Sequence, residues 1–141
     1  MTQTPASIDA VQTMLGAQDY VCDRALGTVT FLALTLGKPL FLEGEPGTGK
    51  TEIAKAIARG LGRRLIRLQC YEGLDAGSAV YEWNFPAQMV AIRTAEAEGV
   101  ADRNLLKSEL FGPDYLIERP LLEAMRPDEA GAPVLLIDEL D

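Results

Sequence analysis

The residues best suited to chemistry lie together in Gly44-Glu45-Pro46-Gly47-Thr48-Gly49-Lys50-Thr51, which reads Gly, four residues, then Gly-Lys-Thr. This fills every fixed position of a phosphate-binding loop. Phosphate oxygens must come close enough for several backbone N–H groups to point at them, and glycines keep that path free of side chains. A helix beginning at the loop adds its unpaired N–H groups and the positive end of its dipole. Lys50 is then expected to reach the β- and γ-phosphates, and the Thr51 hydroxyl to ligate Mg²⁺. A glycine-rich turn capping an ordinary helix is the bland alternative. A second group of chemical interest closes the chain, where the apolar run Val134-Leu135-Leu136-Ile137 leads into Asp138-Glu139. On a phosphate-loop sheet the first acid sits beside the metal and the second orients or deprotonates the attacking water.

The elements that must position these groups are legible in outline. Leu40-Phe41-Leu42, preceded by Gly37 and Pro39, is short and apolar enough for a buried strand. Behind the loop, Ile53, Ala54, Ile57, Ala58 and Leu61 recur at helical spacing until Gly60 and Gly62 end the element. Leu65 to Cys70 reads as the next strand, and its distance from Leu40 predicts a parallel strand-helix-strand unit. The four apolar residues before Asp138 predict a strand buried on both faces, which presents both acids at its C-terminal end. Ahead of the loop, Ser7 to Gly16 predicts a short helix capped by Ser7, and Asp19 to Leu36 a stronger one. The stripe of the second is Cys22, Ala25, Leu26, Val29, Leu32, Ala33 and Leu36, with Gly27 weakening it and Gly37 closing it. Tyr71 to Gly77 is a turn-rich loop. Further helices are expected over Pro86 to Glu98, Asp102 to Phe111 and Pro120 to Arg126. The rings of Tyr81, Trp83 and Phe85 serve either packing or a partner surface.

Composition narrows the function classes. The 141 residues have the length of one domain, and 13 basic against 21 acidic side chains leave a net charge of −8, which provides no general field for a nucleic-acid backbone. Arg59, Arg63, Arg64 and Arg67 form at most a local basic patch, and a solvated helix end and strand flank is the simpler reading. The absence of histidine excludes imidazole-activated nucleophiles and His-containing zinc sites, so a metal here is a hard cation held by oxygens. Cys22 and Cys70 are far apart in apolar segments and are expected as buried, reduced thiols. No apolar run approaches a membrane span and residues 1–9 are polar, so a cytoplasmic protein is expected.

With both motifs in hand, the chain resembles an AAA+ ATPase, and more narrowly the MoxR group of AAA+ chaperones, nearest to those associated with carbon monoxide dehydrogenase maturation. The resemblance rests on residues 42–52, which add Glu52 to the loop, and on Leu68-Gln69-Cys70-Tyr71-Glu72-Gly73-Leu74-Asp75. It also rests on Tyr81-Glu82-Trp83-Asn84-Phe85, Glu118-Arg119-Pro120-Leu121-Leu122 and residues 136–141. It implies a three-layer α/β/α phosphate-loop NTPase core with a parallel sheet, a lead-in segment over 1–18 and the ATPase core over 19–141. It further implies Mg-ATP hydrolysis, assembly into a ring, typically a hexamer, a von Willebrand factor A-domain partner and a metalloenzyme client. Tyr20 and Val21 would lie near the adenine. In the family the sensor residue, the arginine finger and the lid follow the Asp-Glu strand, as do the two strands that flank the phosphate-loop strand. Residues 1–141 alone are therefore expected to be incomplete at the C-terminus, to fold poorly and to hydrolyse ATP slowly if at all.

Two other functions use the same residues. A small-molecule phosphoryl transferase shares the loop, although adjacent Asp138-Glu139 suits a water-activating hydrolase better. A non-catalytic module, or a truncated remnant, would let ATP merely order an interaction surface.

Overall fold

Three helices build the largest core. In the first, α1 (Ile8–Gly16), the Ser7 hydroxyl accepts a hydrogen bond from the Ala10 N–H at 3.1 Å, the expected cap. Val11 and Leu15 on its inner face are fully buried. The second helix, α2 (Arg24–Leu36), starts where the Asp23 carboxylate accepts from the Leu26 N–H at 2.7 Å, and ends at Gly37 with φ 61°. The phosphate-loop helix α3 (Lys50–Leu61) ends at Gly62, also left-handed, and buries Ile53, Ala54, Ala56, Ile57, Ala58 and Leu61. Val11, Leu15, Ile53, Ala56, Ile57 and Leu61 form one cluster, against which Met14, Phe31, Leu34, Leu40, Leu42 and Val134 pack. Each large side chain so buried is worth roughly 1.5–3 kcal/mol.

This computed structural model describes residues 4–99 and 103–140. They divide into two compact units, residues 4–71 with 124–140, and residues 72–99 with 103–123. In the first unit, β1 (Leu65–Gln69) and β4 (Val134–Asp138) pair in parallel, with Leu65 opposite Val134 and Gln69 opposite Asp138. Helix α3 packs on both strands, and α1 packs on α2 and α3. The parallel α/β arrangement expected from the sequence is thus present in part.

Several expectations for this unit need correction. Leu40-Phe41-Leu42 joins no strand ladder, and β1 pairs with β4 rather than with it. A strand requires a hydrogen-bonding neighbour, and the described residues supply none here; only the burial pattern is strand-like, with Leu40 and Leu42 in the core and Phe41 76% exposed. The β4 strand is not buried on both faces: none of its residues is fully buried and Ile137 is 42% exposed, since in a two-stranded sheet β1 alone flanks β4 and no further strand shields its side chains. Helix α2 begins at Arg24 rather than Asp19, whose φ of 59° is left-handed. Its buried side is Gly27 and Thr30, flanked by half-buried Leu26, Phe31 and Leu34, whereas Val29, Leu32 and Leu36 of the expected stripe are exposed. Both cysteines are free and half-buried rather than buried.

Two glycines explain how α2 and α3 accept α1. A Cβ on Gly27 would lie 2.9 Å from the Gln12 Cγ, and one on Gly60 would lie 2.6 Å from the Met14 Cγ. Gly60 therefore does not end α3; it is the seat on which α1 rests, and Gly27 fixes which face of α2 turns inward. Gly60→Val is expected to destabilise the fold by about 1–3 kcal/mol, with partial recovery in Gly60→Val/Met14→Ala. Denaturant midpoints check this, and an unchanged midpoint in the single variant would contradict it.

The second unit holds two strands that the sequence did not announce. The three-residue strands β2 (Tyr81–Trp83) and β3 (Leu116–Glu118) pair antiparallel, and Glu82 of one bonds Arg119 just past the other. Before them, α4 (Ala76–Val80) begins where the Asp75 carboxylate accepts from the Ser78 N–H at 2.7 Å. After β2, Asn84 caps α5 (Phe85–Glu98), which Gly99 closes as expected. Helix α6 (Arg103–Leu110) follows, Asp102 lying outside the described residues, and α7 (Pro120–Ala124) is shorter than expected. Trp83 meets Phe111 edge to face at 5.2 Å and Tyr81 at 5.8 Å, so packing engages two of the three expected rings, while Phe85 is exposed.

The Ser78 backbone and hydroxyl, and then the Gly77 N–H, hold the Asp75 carboxyl below the ordinary aspartate value. A depressed folded-state pKa gives stability that is present above the unfolded value and lost as pH falls through the folded one. Asp75→Asn is therefore expected to be less stable than the parent at neutral pH and to converge with it in acid. Melting curves across that pH range check the sign, and a gap that widens in acid would refute it.

Candidate nucleotide site

The chain leaves the core at Leu42, and every residue from Glu43 to Thr48 is exposed. Gly47 and Gly49 take φ of 83° and 85°, a region in which a Cβ is strained. Gly49 is the N-cap of α3 and no side chain caps that end, so the first-turn N–H groups are not taken by a capping side chain. A Cβ on Gly44 would lie 3.3 Å from the Thr48 Oγ1 and 4.0 Å from the Lys50 Nζ. The Lys50 ammonium curls back over the loop and donates to the carbonyls of Gly44 and of Glu45, the latter at 2.8 Å. The Thr48 hydroxyl donates to the same Glu45 carbonyl at 2.8 Å. Loop, lysine and the uncapped start of α3 thus lie together, with the Lys50 ammonium against the loop carbonyls. A phosphate oxygen, carrying full charge, is a stronger partner for that ammonium than a carbonyl dipole.

Tyr20 stands behind the loop. Its hydroxyl donates to the Gly49 carbonyl at 3.5 Å, and its ring lies 3.7 Å from where a Gly49 Cβ would be. Burial, and then the neighbouring Cys22 and Asp23, push the phenol pKa up, so it stays a protonated donor at neutral pH. Burial and Asp23 likewise push the Cys22 thiol up, away from nucleophilic use. Val21 is 96% exposed and Pro46 is exposed. Glu52 turns along α3 to Lys55, whose hydrogen bond holds its carboxyl below the ordinary glutamate value. Thr51 is half-buried in the first turn.

At the far end of β4, both acids are engaged by β1. The Arg67 Nη2 and Nε donate to the Asp138 Oδ2 at 2.6 and 3.2 Å, and the Cys70 N–H bonds the Asp138 carbonyl at 2.9 Å. Glu139 turns off the strand with φ 58°, and the Gln69 amide donates to its Oε2 at 3.0 Å. Among the described residues no hydrogen bond or ion pair joins Lys50 or Thr51 to either acid. Sequence reasoning missed Arg67 and Gln69 as neighbours of the acids. The available signal was that both alternate outward on β1 beside its C-terminal end. In the basic patch Arg59, Arg64 and Arg67 are exposed, as a solvated flank requires, while Arg64 also bonds Asp128 at 2.9 Å, Arg67 bonds Asp138 and Arg63 is half-buried.

No cluster of three acidic, cysteine or histidine side chains occurs among the described residues. Mg²⁺ takes one or two protein oxygens together with phosphate oxygens. Asp138 fits this use because the Arg67 contacts occupy only its Oδ2. No helix among the described residues is long and apolar enough to cross a membrane.

Comparison with known proteins adds three findings. The model of the ATPase family associated with various cellular activities (AAA) matches residues 40–141, which contain the loop, Arg67, Gln69 and both acids but not α1, α2 or Tyr20. The Lon protease of Syntrophus aciditrophicus (strain SB) is 28% identical over 147 residues, covering 99% of this chain. The chain spans 15% of the length of that relative. No solved structure matches.

Proposed function

The chain belongs to the AAA family of ATPases, and from that premise we propose that it binds Mg-ATP on the Gly44–Thr51 loop and hydrolyses it. The observation that carries this reading is the convergence of left-handed Gly47 and Gly49, the uncapped start of α3 and the Lys50 ammonium. When bound, Mg²⁺ supplies neutralisation of the charge on the phosphoryl oxygens. The backbone N–H groups of the loop and of the first turn of α3 hold the phosphates, and Lys50 exchanges two loop carbonyls for phosphate oxygens. Thr51 and Asp138 hold the metal. Glu139, its Oε2 bonded by Gln69, uses its other oxygen to take the proton of the attacking water. Tyr20 braces Gly49 and so keeps the entrance to α3 in place; its contact with adenine, and that of Val21, belong to the same reading.

The wider role proposed is that of a cytoplasmic MoxR-type chaperone, a ring that acts with a von Willebrand factor A-domain partner to mature a metalloenzyme. Its support is the sequence resemblance over residues 42–52 and the Leu68-to-Asp75, Tyr81-to-Phe85 and Glu118-to-Leu122 blocks. The test is to express an apo-metalloenzyme client with the full-length protein or with its Lys50→Ala form, and to measure bound metal. Metal content is expected to drop with the variant; equal loading would remove the maturation role. A second reading has its own observation, the likeness to a Lon protease across α1 and α2, which the family model leaves out. It makes the chain part of an ATPase module that drives proteolysis. ATP-dependent degradation of an unfolded protein by the full-length protein would favour it over the chaperone.

A further inference from the structure

Arg67 has no place in the chemistry described so far, yet it makes the shortest contact to Asp138, through Nη2 at 2.6 Å. Both of its hydrogen bonds converge on Oδ2 instead of spanning the carboxylate as a fork. The fork-to-fork arrangement, with one N–H on each oxygen, is the common one for an arginine and a carboxylate. Here Oδ1 of Asp138 accepts no hydrogen bond among the described residues. The backbone register explains how this comes about. Gln69 stands opposite Asp138, so Arg67 reaches the acid diagonally from the position opposite Leu136 and meets one oxygen only. The Asp138 side chain is 21% exposed and that of Arg67 50%, so solvent screens the pair in part.

We propose that Arg67 clamps Asp138 by one oxygen, leaves the other for a divalent cation and, by its positive charge, raises the cation concentration at which the nucleotide site fills. The inference rests on the reading of Asp138 as a metal-holding residue. A guanidinium held against the carboxylate withdraws part of the negative charge that a cation would use, so metal binding works against Arg67 as well as with Asp138. Removing the charge should make the site respond to less magnesium. A partly exposed pair supports a change of roughly two- to fivefold.

The test is equilibrium binding of a fluorescent ATP analogue to the full-length protein, first in chelator and then with increasing Mg²⁺. Arg67→Gln is expected to leave metal-free affinity unchanged and to lower the half-saturating Mg²⁺ roughly two- to fivefold. Arg67→Lys, which keeps the charge, is expected to stay near the parent. A purely structural arginine would instead lower the melting temperature and the metal-free affinity of both variants and leave the magnesium midpoint where it was, and that result overturns the proposal. So does a midpoint that rises in Arg67→Gln. Asp138→Asn separates the premise from the inference. If magnesium tightens binding equally well in Asp138→Asn, the metal role of Asp138 fails, and the clamp with it. If Asp138→Asn abolishes the magnesium effect and Arg67→Gln does not shift it, only the clamp fails.

Discussion

Replacing Lys50 with alanine is expected to weaken Mg-ATP binding by roughly 10- to 150-fold and to abolish measurable turnover. The ammonium lies against the loop, where it bonds the Gly44 and Glu45 carbonyls. A hydrogen bond to a charged group contributes about 1.5–3 kcal/mol, which over a single binding equilibrium corresponds to that range. Folding should be untouched, because Lys50 is on the first turn of α3 and takes no part in the Val11, Leu15, Ile53, Ala56, Ile57 and Leu61 cluster. Nucleotide titration beside a melting curve separates the two effects. Wild-type affinity in Lys50→Ala would mean that nucleotide, if it binds, does not bind at this loop.

The second large effect is expected at Glu139. Glu139→Gln should keep Mg-ATP affinity within a fewfold of the parent while hydrolysis falls by roughly 10²–10⁴, the usual worth of a general base. The structure favours this variant as a clean probe, since among the described residues the hydrogen bond to the carboxylate comes from the Gln69 amide, and a glutamine carbonyl can accept the same bond. Single-turnover hydrolysis at saturating nucleotide is the measurement. An unchanged rate would remove Glu139 as the base. If an added acceptor instead restored ATP consumption, the phosphoryl transferase would regain its standing. Tight binding by the parent with no turnover under any partner would favour the non-catalytic module.

The parts of this fold that were legible in the sequence are those set by local chemistry. Ser7, Gly37, Gly62 and Gly99 act at helix ends as their residue types require, and the loop from Gly44 to Thr51 carries its geometry in its glycines. What was not legible depends on distant partners. Arg24–Leu36 is apolar on most of its circumference, so periodicity could not say which side turns inward; that was decided by Gln12 lying over Gly27. Leu40-Phe41-Leu42 has the alternation of a strand, but pairing is a property of two segments, and β1 takes β4 as its neighbour. The β2 and β3 strands, three residues each, are too short to give a period. In the site, the residue types of the loop and the two acids could be read directly. The engagement of Asp138 by Arg67 and of Glu139 by Gln69 could not, because it follows from the register between strands some seventy residues apart.

Glycine and lysine therefore carry different parts of the account. Gly47 and Gly49 shape the backbone, Gly44 leaves room for Thr48 and Lys50, and Lys50 supplies the charge. The most direct measurement is a calorimetric titration of the full-length protein with ATP, ADP and adenosine in magnesium buffer. If the loop recognises phosphate, ATP and ADP bind saturably, adenosine binds far more weakly, and Lys50→Ala removes the difference. Adenosine binding as tightly as ATP, or ATP binding that Lys50→Ala leaves intact, would contradict the claim that this loop is the nucleotide site.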